Sequence, residues 1–284
     1  MIVTRTPLRI SFAGGGTDLP SFYKSNIFGA VLNTSINKYI YVTIKKHPKV
    51  FNREKFRLNY SETELVENLE KIKNPIIREC IKFLKIEERL YISTISDIPA
   101  STGLGSSSTF CVGLLKALYA FKKKRVGPKQ LSEEAFYIER DVLKRPVGKQ
   151  DHYAASYGGL NVLTFQANET VVVEPVLHNP EVRKELEQNL LIFYTTIKRD
   201  ASDILTKQNQ ETSNKRDFLR QMKELVIPLR EVISSGQDLS QFGEIMHENW
   251  ILKKSLTDKT SSSEIDEYYA KARKAGAIGG KLLG

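Results

Sequence analysis

Pro99-Ala-Ser-Thr-Gly-Leu-Gly-Ser-Ser-Ser108 is the stretch on which the fold turns, because it hands a strand over to a helix. Upstream, Leu90-Tyr-Ile-Ser-Thr-Ile95 alternates in the manner of a strand. Downstream, Phe110, Leu114, Leu118 and Phe121 recur at helical spacing. Gly103 and Gly105 can take positive φ and let a ligand approach the backbone closely. The amides of Ser106, Ser107 and Ser108 then fall at the amino end of a helix, where unpaired donors and the macrodipole favour an anion. With Pro99, Ser101, Thr102 and Leu104 completing the turn, the segment reads as a phosphate cradle. An ordinary glycine-serine turn with a serine cap uses the same residue types and stays open on this segment alone. A Walker loop is excluded, since no lysine follows Gly105, and the G-x-G-x-x-G spacing of a dinucleotide fingerprint is absent.

Two further constellations stand on either side. Thr6-Pro-Leu-Arg-Ile-Ser-Phe-Ala-Gly-Gly-Gly-Thr-Asp-Leu-Pro20 is a strand carrying Arg9, broken by Gly14, Gly15 and Gly16 and followed by Thr17 and Asp18. Asp18 is an acceptor suited to sugar hydroxyls, or else a cap on a nearby helix. Arg145-Pro-Val-Gly-Lys-Gln-Asp-His-Tyr-Ala-Ala-Ser-Tyr-Gly-Gly159 places Asp151 after an interrupted helix end, with Lys149 two positions before it. Glu139 lies on the preceding helix and flanks its apolar stripe of Ala135, Ile138 and Val142. A solvated glutamate is the plainer reading of Glu139, and a loop cap that of Asp151. Taken with the cradle, the two carboxylates match the needs of phosphoryl transfer. One orients the accepting hydroxyl or takes its proton, and one helps a hydroxyl hold Mg²⁺ against the phosphates.

The pattern Pro-x-x-x-Gly-Leu-Gly-Ser-Ser at 99–107 resembles the second motif of the GHMP kinases. The segment from Thr6 is similar to their first motif, with Arg9 and Asp18 on its arginine and aspartate. Galactokinases carry Glu-His where Gly15-Gly16 stand here, so galactose is not the expected substrate. The resemblance implies an α+β fold of two domains, an N-terminal one of the ribosomal protein S5 type and a ferredoxin-like C-terminal one. It implies ATP on residues 99–108, Mg²⁺ at Ser107 and Glu139, and Asp151 as base or orienting group. Arg9, Gly14, Gly15, Gly16, Thr17, Asp18 and Asp151 would face the sugar. Lys149 would stabilise the carboxylate or the transferred phosphoryl, although a surface lysine fits it equally. Within the family, these motifs and Thr195-Thr-Ile-Lys-Arg-Asp-Ala-Ser-Asp-Ile-Leu205 look like the bacterial D-glycero-D-manno-heptose 7-phosphate kinases. That resemblance implies phosphorylation of the anomeric hydroxyl on the route to GDP-heptose and surface polysaccharide. Arg199, with Lys198, is the candidate contact for the 7-phosphate; a structural ion pair is the competing reading. A fucokinase-like sugar-1-kinase shares every motif, and a non-catalytic sugar-phosphate-binding regulator is the alternative of another class.

Composition bounds these readings. The 284 residues, 40% of them hydrophobic and 27% charged, provide ample core for one large or two ordinary domains. No apolar stretch approaches the roughly 20 residues of a membrane span, and the N-terminus has no signal-peptide design. A cytoplasmic enzyme without a membrane partner is expected, and a homodimer is compatible with the sequence. Cys80 and Cys111 lie in apolar helical patterns and read as buried thiols. No Cys/His group has zinc-ligand spacing. The net charge of +10 suits anionic small substrates. Its densest run, Lys122 to Arg125, ends a helix, where cations complement the dipole, and nucleic acid is not expected.

Strands are predicted over 2–12, 31–46, 56–60, 90–95, 158–165 and 170–173, with a further buried strand at Leu190–Thr195. Helices are predicted over 76–84 and 106–123, and from a Ser132 cap to about Leu143. Asp200 reads as the cap of a later helix, and a long helix through Phe218 and Val232 is expected to kink at Pro228. The domains divide softly near 160–185, as 1–170 and 171–284. Ala277-Ile-Gly-Gly-Lys-Leu-Leu-Gly284 reads as the opening of a third glycine-rich motif, so the chain is expected to be a shortened form.

Overall fold

The computed structural model describes residues 1–25, 28–50, 53–197, 215–236, 238–257 and 260–283. Its centre is a long strand, β2 (Gly29–Lys46), paired antiparallel along one edge with β1 (Ile2–Ala13), from Ile2 opposite Ile44 to Ala13 opposite Leu32. The other edge of β2 is shared. Ile40–Lys46 pairs with β5 (Leu90–Ser96), and Gly29–Thr34 pairs with β6 (Leu160–Phe165), which continues to β7 (Val171–Pro175). On the far side of β5 run β3 (Phe56–Asn59), parallel to it, and β4 (Thr63–Val66), which together complete the seven-stranded sheet.

Parallel pairing of β3 with β5 demands a crossover, and helix α2 (Pro75–Phe83) supplies it. Asn74 caps this helix, accepting from the Ile77 amide at 3.1 Å. Helices α3 (Ser106–Phe121), α4 (Pro128–Tyr137) and α5 (Gln150–Tyr157) join it in one layer, with α3 packed on β1 and β2. Leu8 to Ala13 are all buried, although successive strand residues point to opposite faces, so this part of β1 is covered on both sides. Phe12 meets Phe242 edge to face at 5.0 Å, which brings the helical half of the chain onto the strand that carries Arg9.

The helical half contains a short α1 (Pro20–Tyr23) docked from the N-terminal side, and then α6 (Pro180–Asn189), α7 (Arg216–Glu224), α8 (Val226–Ser235), α9 (Ser240–Lys254) and α10 (Ser263–Lys274). Three expectations are corrected here. Ser132 does not start a helix: α4 begins at Pro128, and the Ser132 hydroxyl bonds back to the Pro128 carbonyl at 2.8 Å. The single helix through Pro228 is two, divided at Leu225; a proline ring collides with the carbonyl four residues earlier, here that of Glu224, the last residue of α7. Leu190–Thr195 is not a buried strand. Leu191 and Phe193 are 77% and 75% exposed, and no described strand lies alongside to receive their backbone groups. Among the described residues no strand follows β7, so the sheet of a ferredoxin-like second domain is not seen in them. Asp200, Lys198 and Arg199 lie outside the described residues.

Candidate active site

The glycine-rich loop joins β5 to α3, as the strand and helix patterns on either side predict. Gly105 caps α3 with φ 76°, Gly103 has φ 75°, and no side chain closes the cap. The first-turn amides of Ser106 to Ser108 are therefore directed at whatever lies beyond the loop. The loop is fastened to β1 through its backbone. The ladder with β2 slips between Pro7 and Arg9, and there the Arg9 amide donates to the Leu104 carbonyl at 3.2 Å.

The Arg9 side chain completes that join. Its Nη1 donates to the Gly103 carbonyl at 2.6 Å, while Nε and Nη2 grip both oxygens of Asp151 at 2.6 and 2.7 Å. Such a bidentate fork fixes a carboxylate in angle as well as in distance. Asp151 keeps part of its surface open, 23% against 8% for Arg9, in the first turn of α5. An added Cβ on Gly105 would lie 3.2 Å from Asp151 Oδ2. The cradle, the arginine and the aspartate thus form one contiguous wall.

Glu139 is fully buried, against the expectation of a solvated face. The cause is local: α4 stops at Tyr137 and residues 138–142 wind as a π-turn, closed by the Leu143 amide on the Ile138 carbonyl at 2.9 Å. Four donors converge on the carboxylate. Ser107 Oγ and Arg145 Nη1 reach Oε1 at 2.6 and 2.9 Å, and Ser108 Oγ and His152 Nε2 reach Oε2 at 2.7 and 2.8 Å. Burial pushes the carboxyl upward, but His152 and the two serine hydroxyls outweigh it and hold the pKa down at about 2. Glu139 is therefore anionic throughout the ordinary pH range. Ser107 Oγ with Glu139 Oε1 is an oxygen pair of the kind Mg²⁺ accepts beside phosphates and water. A cationic nitrogen, Arg145 Nη1, already bridges the two at 2.7 and 2.9 Å, so the donor set fits a cation.

The first motif is less open than its sequence suggests. Thr17 is fully buried, its hydroxyl shared between the Gly14 and Ala30 carbonyls at 2.8 and 2.9 Å. Gly14 is packed against Ala30, where an added Cβ would fall 1.9 Å from the carbonyl oxygen. Asp18 is 3% exposed and accepts from the Gly16 and Gln150 amides at 3.0 and 3.3 Å, so it ties the glycine turn to the start of α5. Desolvation, reinforced by the nearby charge of Asp151, raises its pKa to about 6. Gly15, by contrast with Gly14, has open space around its Cα. Lys149 is displaced from its expected position. It is buried, and its ammonium group binds Glu133 at 2.9 and 3.0 Å and the Glu169 carbonyl at 2.7 Å, with no bond to Asp151. The buried ammonium is matched by a carboxylate that itself stays 37% exposed, so the pair sits at the edge of the fold.

Three participants were not foreseen. Arg145 and His152 both touch Glu139, and the signal was present only in hindsight, as a cation and an imidazole flanking the Asp151 motif. Lys281 reaches Ser11 Oγ at 3.3 Å from the glycine-rich C-terminal stretch, two strand positions beyond Arg9. Burial and the nearby charges of Lys253 and Arg9 push its pKa well below the usual lysine value.

Comparison with known proteins now bears on this geometry. The GHMP kinases N terminal domain matches residues 74–159, the span holding the cradle, Glu139 and Asp151. A D-glycero-alpha-D-manno-heptose 7-phosphate kinase of Campylobacter jejuni is 31% identical over 296 residues, covering 100% of this chain and 86% of the relative. This chain belongs to the GHMP kinase family. A galactokinase of Pyrococcus furiosus is 23% identical over 321 residues, covering 100% of this chain and 86% of that protein. The crystal structure of a D-glycero-D-manno-heptose 1-phosphate kinase from Bacteroides thetaiotaomicron superposes with a TM-score of 0.81 at 26% identity, over 100% of this chain and 86% of that one. The fold is the α+β GHMP kinase fold, and the activity is phosphoryl transfer from ATP. No helix among the described residues of this GHMP kinase is long and apolar enough to cross a membrane.

Proposed function

We propose that this GHMP sugar kinase phosphorylates the anomeric hydroxyl of D-glycero-D-manno-heptose 7-phosphate, giving the 1,7-bisphosphate and ADP. The observation that carries the reading is the Arg9–Asp151 fork set directly beneath the Gly103–Gly105 loop, which puts an aimed carboxylate beside a seat for phosphate. The triphosphate rests its charge on the amides of residues 103–108. Asp151 accepts the hydrogen bond of the anomeric hydroxyl and takes its proton as that oxygen bonds to the γ-phosphorus. The bond from the γ-phosphorus to the β-bridging oxygen breaks, and ADP leaves. Arg9 keeps Asp151 in line, so positioning and charge neutralisation supply most of the acceleration. Ser107 and Glu139 would hold Mg²⁺, which when bound neutralises the phosphate oxygens. Gly15, with open space about its Cα, lets the sugar approach the backbone of the first motif, while Asp18 and Thr17 set the shape of that turn from within. The full-length similarity to a heptose 7-phosphate kinase supports the choice of sugar. Arg199 stays the candidate for the 7-phosphate.

ADP release measured across a panel of sugars with and without a terminal phosphate tests the substrate. Heptose 7-phosphate is expected to turn over at least a hundredfold faster than free heptose, fucose or galactose. Preference for an unphosphorylated sugar would overturn the assignment, and ATP-independent binding of heptose 7-phosphate without turnover would point to a regulator.

A further inference from the structure

Arg145 occupies the seat that the proposed function gives to a divalent cation. Its Nη1 lies 2.7 Å from Ser107 Oγ and 2.9 Å from Glu139 Oε1, and those two oxygens are themselves 2.6 Å apart. A Mg²⁺ ion would bond both at about 2.1 Å, within the span the guanidinium nitrogen fills. Ion and arginine cannot share the seat. The backbone of Arg145 is fixed, since its amide donates to the Glu139 carbonyl at 2.9 Å and its carbonyl accepts from Val147 at 2.9 Å. Lys144, at φ 56°, turns the chain back to make this possible. The side chain is freer, with 32% of its surface exposed against none for Glu139. It enters from the solvent side and can leave the same way.

If Arg145 left with nothing in its place, Oε1 of the buried Glu139 would lose its cationic partner while His152 stayed on Oε2, and the buried anion would be matched less well, which is costly. We infer that Arg145 is a place-holder in the metal seat and changes places with the divalent cation that accompanies ATP, passing its guanidinium to the phosphate oxygens. Neither partner is left unmatched by the exchange: the carboxylate keeps a cation, and the guanidinium, which touches Glu139 through Nη1 alone, gains phosphate oxygens that its fork can bind in pairs. It also makes metal binding depend on nucleotide, because metal alone gives the displaced arginine no new partner. The inference rests on the reading of Ser107 and Glu139 as the metal seat.

Manganese(II) binding, followed by electron paramagnetic resonance on the full chain with no nucleotide present, tests it. Arg145→Gln is expected to bind free Mn²⁺ at least tenfold more tightly than the unaltered protein. Ser107→Ala and Glu139→Gln, each combined with Arg145→Gln, are expected to remove that gain; Ser107 is exposed, so its variant keeps the test informative should the Glu139 variant unfold. With a non-hydrolysable ATP analogue present, the unaltered protein is expected to approach the Mn²⁺ affinity of Arg145→Gln. Equal Mn²⁺ affinity without nucleotide in the two proteins, to within twofold, overturns the exchange. So does a gain that survives the loss of Ser107. ATP turnover on the same preparations separates the readings. Turnover without the gain defeats the exchange and leaves the kinase reading standing, whereas the gain without turnover of heptose 7-phosphate defeats only the substrate.

Discussion

Asp151 and Asp18 are two carboxylates on either side of one helix start, and their surroundings give them opposite tasks. Asp151 is partly open and clasped by Arg9 through two short bonds, so it can meet a substrate without wandering. Asp151→Asn retains the shape but loses the charge and the proton acceptor. Its kcat is expected to fall roughly 10²–10⁴-fold, with the affinity for an ATP analogue in calorimetry unchanged; near-normal turnover would remove Asp151 from the chemistry. Asp18 is enclosed, facing Asp151 and the amides of Gly16 and Gln150, and its pKa is raised from 3.8 to about 6. Between those values the folded chain holds a proton that the unfolded chain releases. The contribution of Asp18 to stability is accordingly largest at or below pH about 4 and shrinks as pH rises to about 6, by roughly 3 kcal/mol if the whole shift is expressed. Urea unfolding of Asp18→Asn should show the opposite trend relative to the parent, the variant gaining ground over that window. Parallel pH curves for the two proteins would mean that Asp18 does not titrate in the fold.

At the scale of elements, the loop and its flanks were legible because their signals are local. Positive φ at Gly103 and Gly105 is a property of glycine, and the α3 pattern begins directly behind them. Glu139 was harder to place, because a 3.6-residue period carries no mark of the one π-turn that rotates it inward. Ser132 and Pro128 offered competing helix starts, and the proline took it, with its ring already set for the first turn. Gly105→Ala tests the element as built. The left-handed backbone there costs an L-residue roughly 1–2 kcal/mol. The new methyl also presses on Asp151 Oδ2 at 3.2 Å and on Arg9 Cγ at 3.4 Å. Stability in urea is expected to drop by about that amount, and kcat by more than nucleotide affinity, because Asp151 is what the methyl displaces. Unchanged kcat with weakened nucleotide binding would show that the wall between cradle and aspartate yields.

Across the whole molecule, the sheet and its helical layer follow from patterns in the first half of the chain, whereas the second half depends on long-range contacts that no local pattern reports. Leu190–Thr195 has a strand's composition but no described neighbour to pair with, so composition misled. The C-terminal stretch runs the other way: read only as a glycine-rich opening, it docks across α9 and brings Lys281 to β1. Its contact is backbone against backbone. An added Cβ on Gly279 would fall 1.8 Å from the Gly243 carbonyl oxygen and 2.9 Å from the His247 amide nitrogen, neither of which can move without bending α9. Gly279→Val must therefore lift the segment, and with it the Lys281–Ser11 contact. Limited proteolysis should cut between Lys274 and Leu283 several-fold faster than in the parent, while the cores around β1 and β2 resist as before. If Lys281 draws the anionic sugar toward Arg9, the KM for the sugar phosphate rises in Gly279→Val and equally in Lys281→Ala, whose segment stays docked and resistant to protease. A Gly279→Val protein as resistant as the parent would mean that the segment does not dock on α9, and an unchanged KM in Lys281→Ala would free Lys281 from any part in holding the substrate.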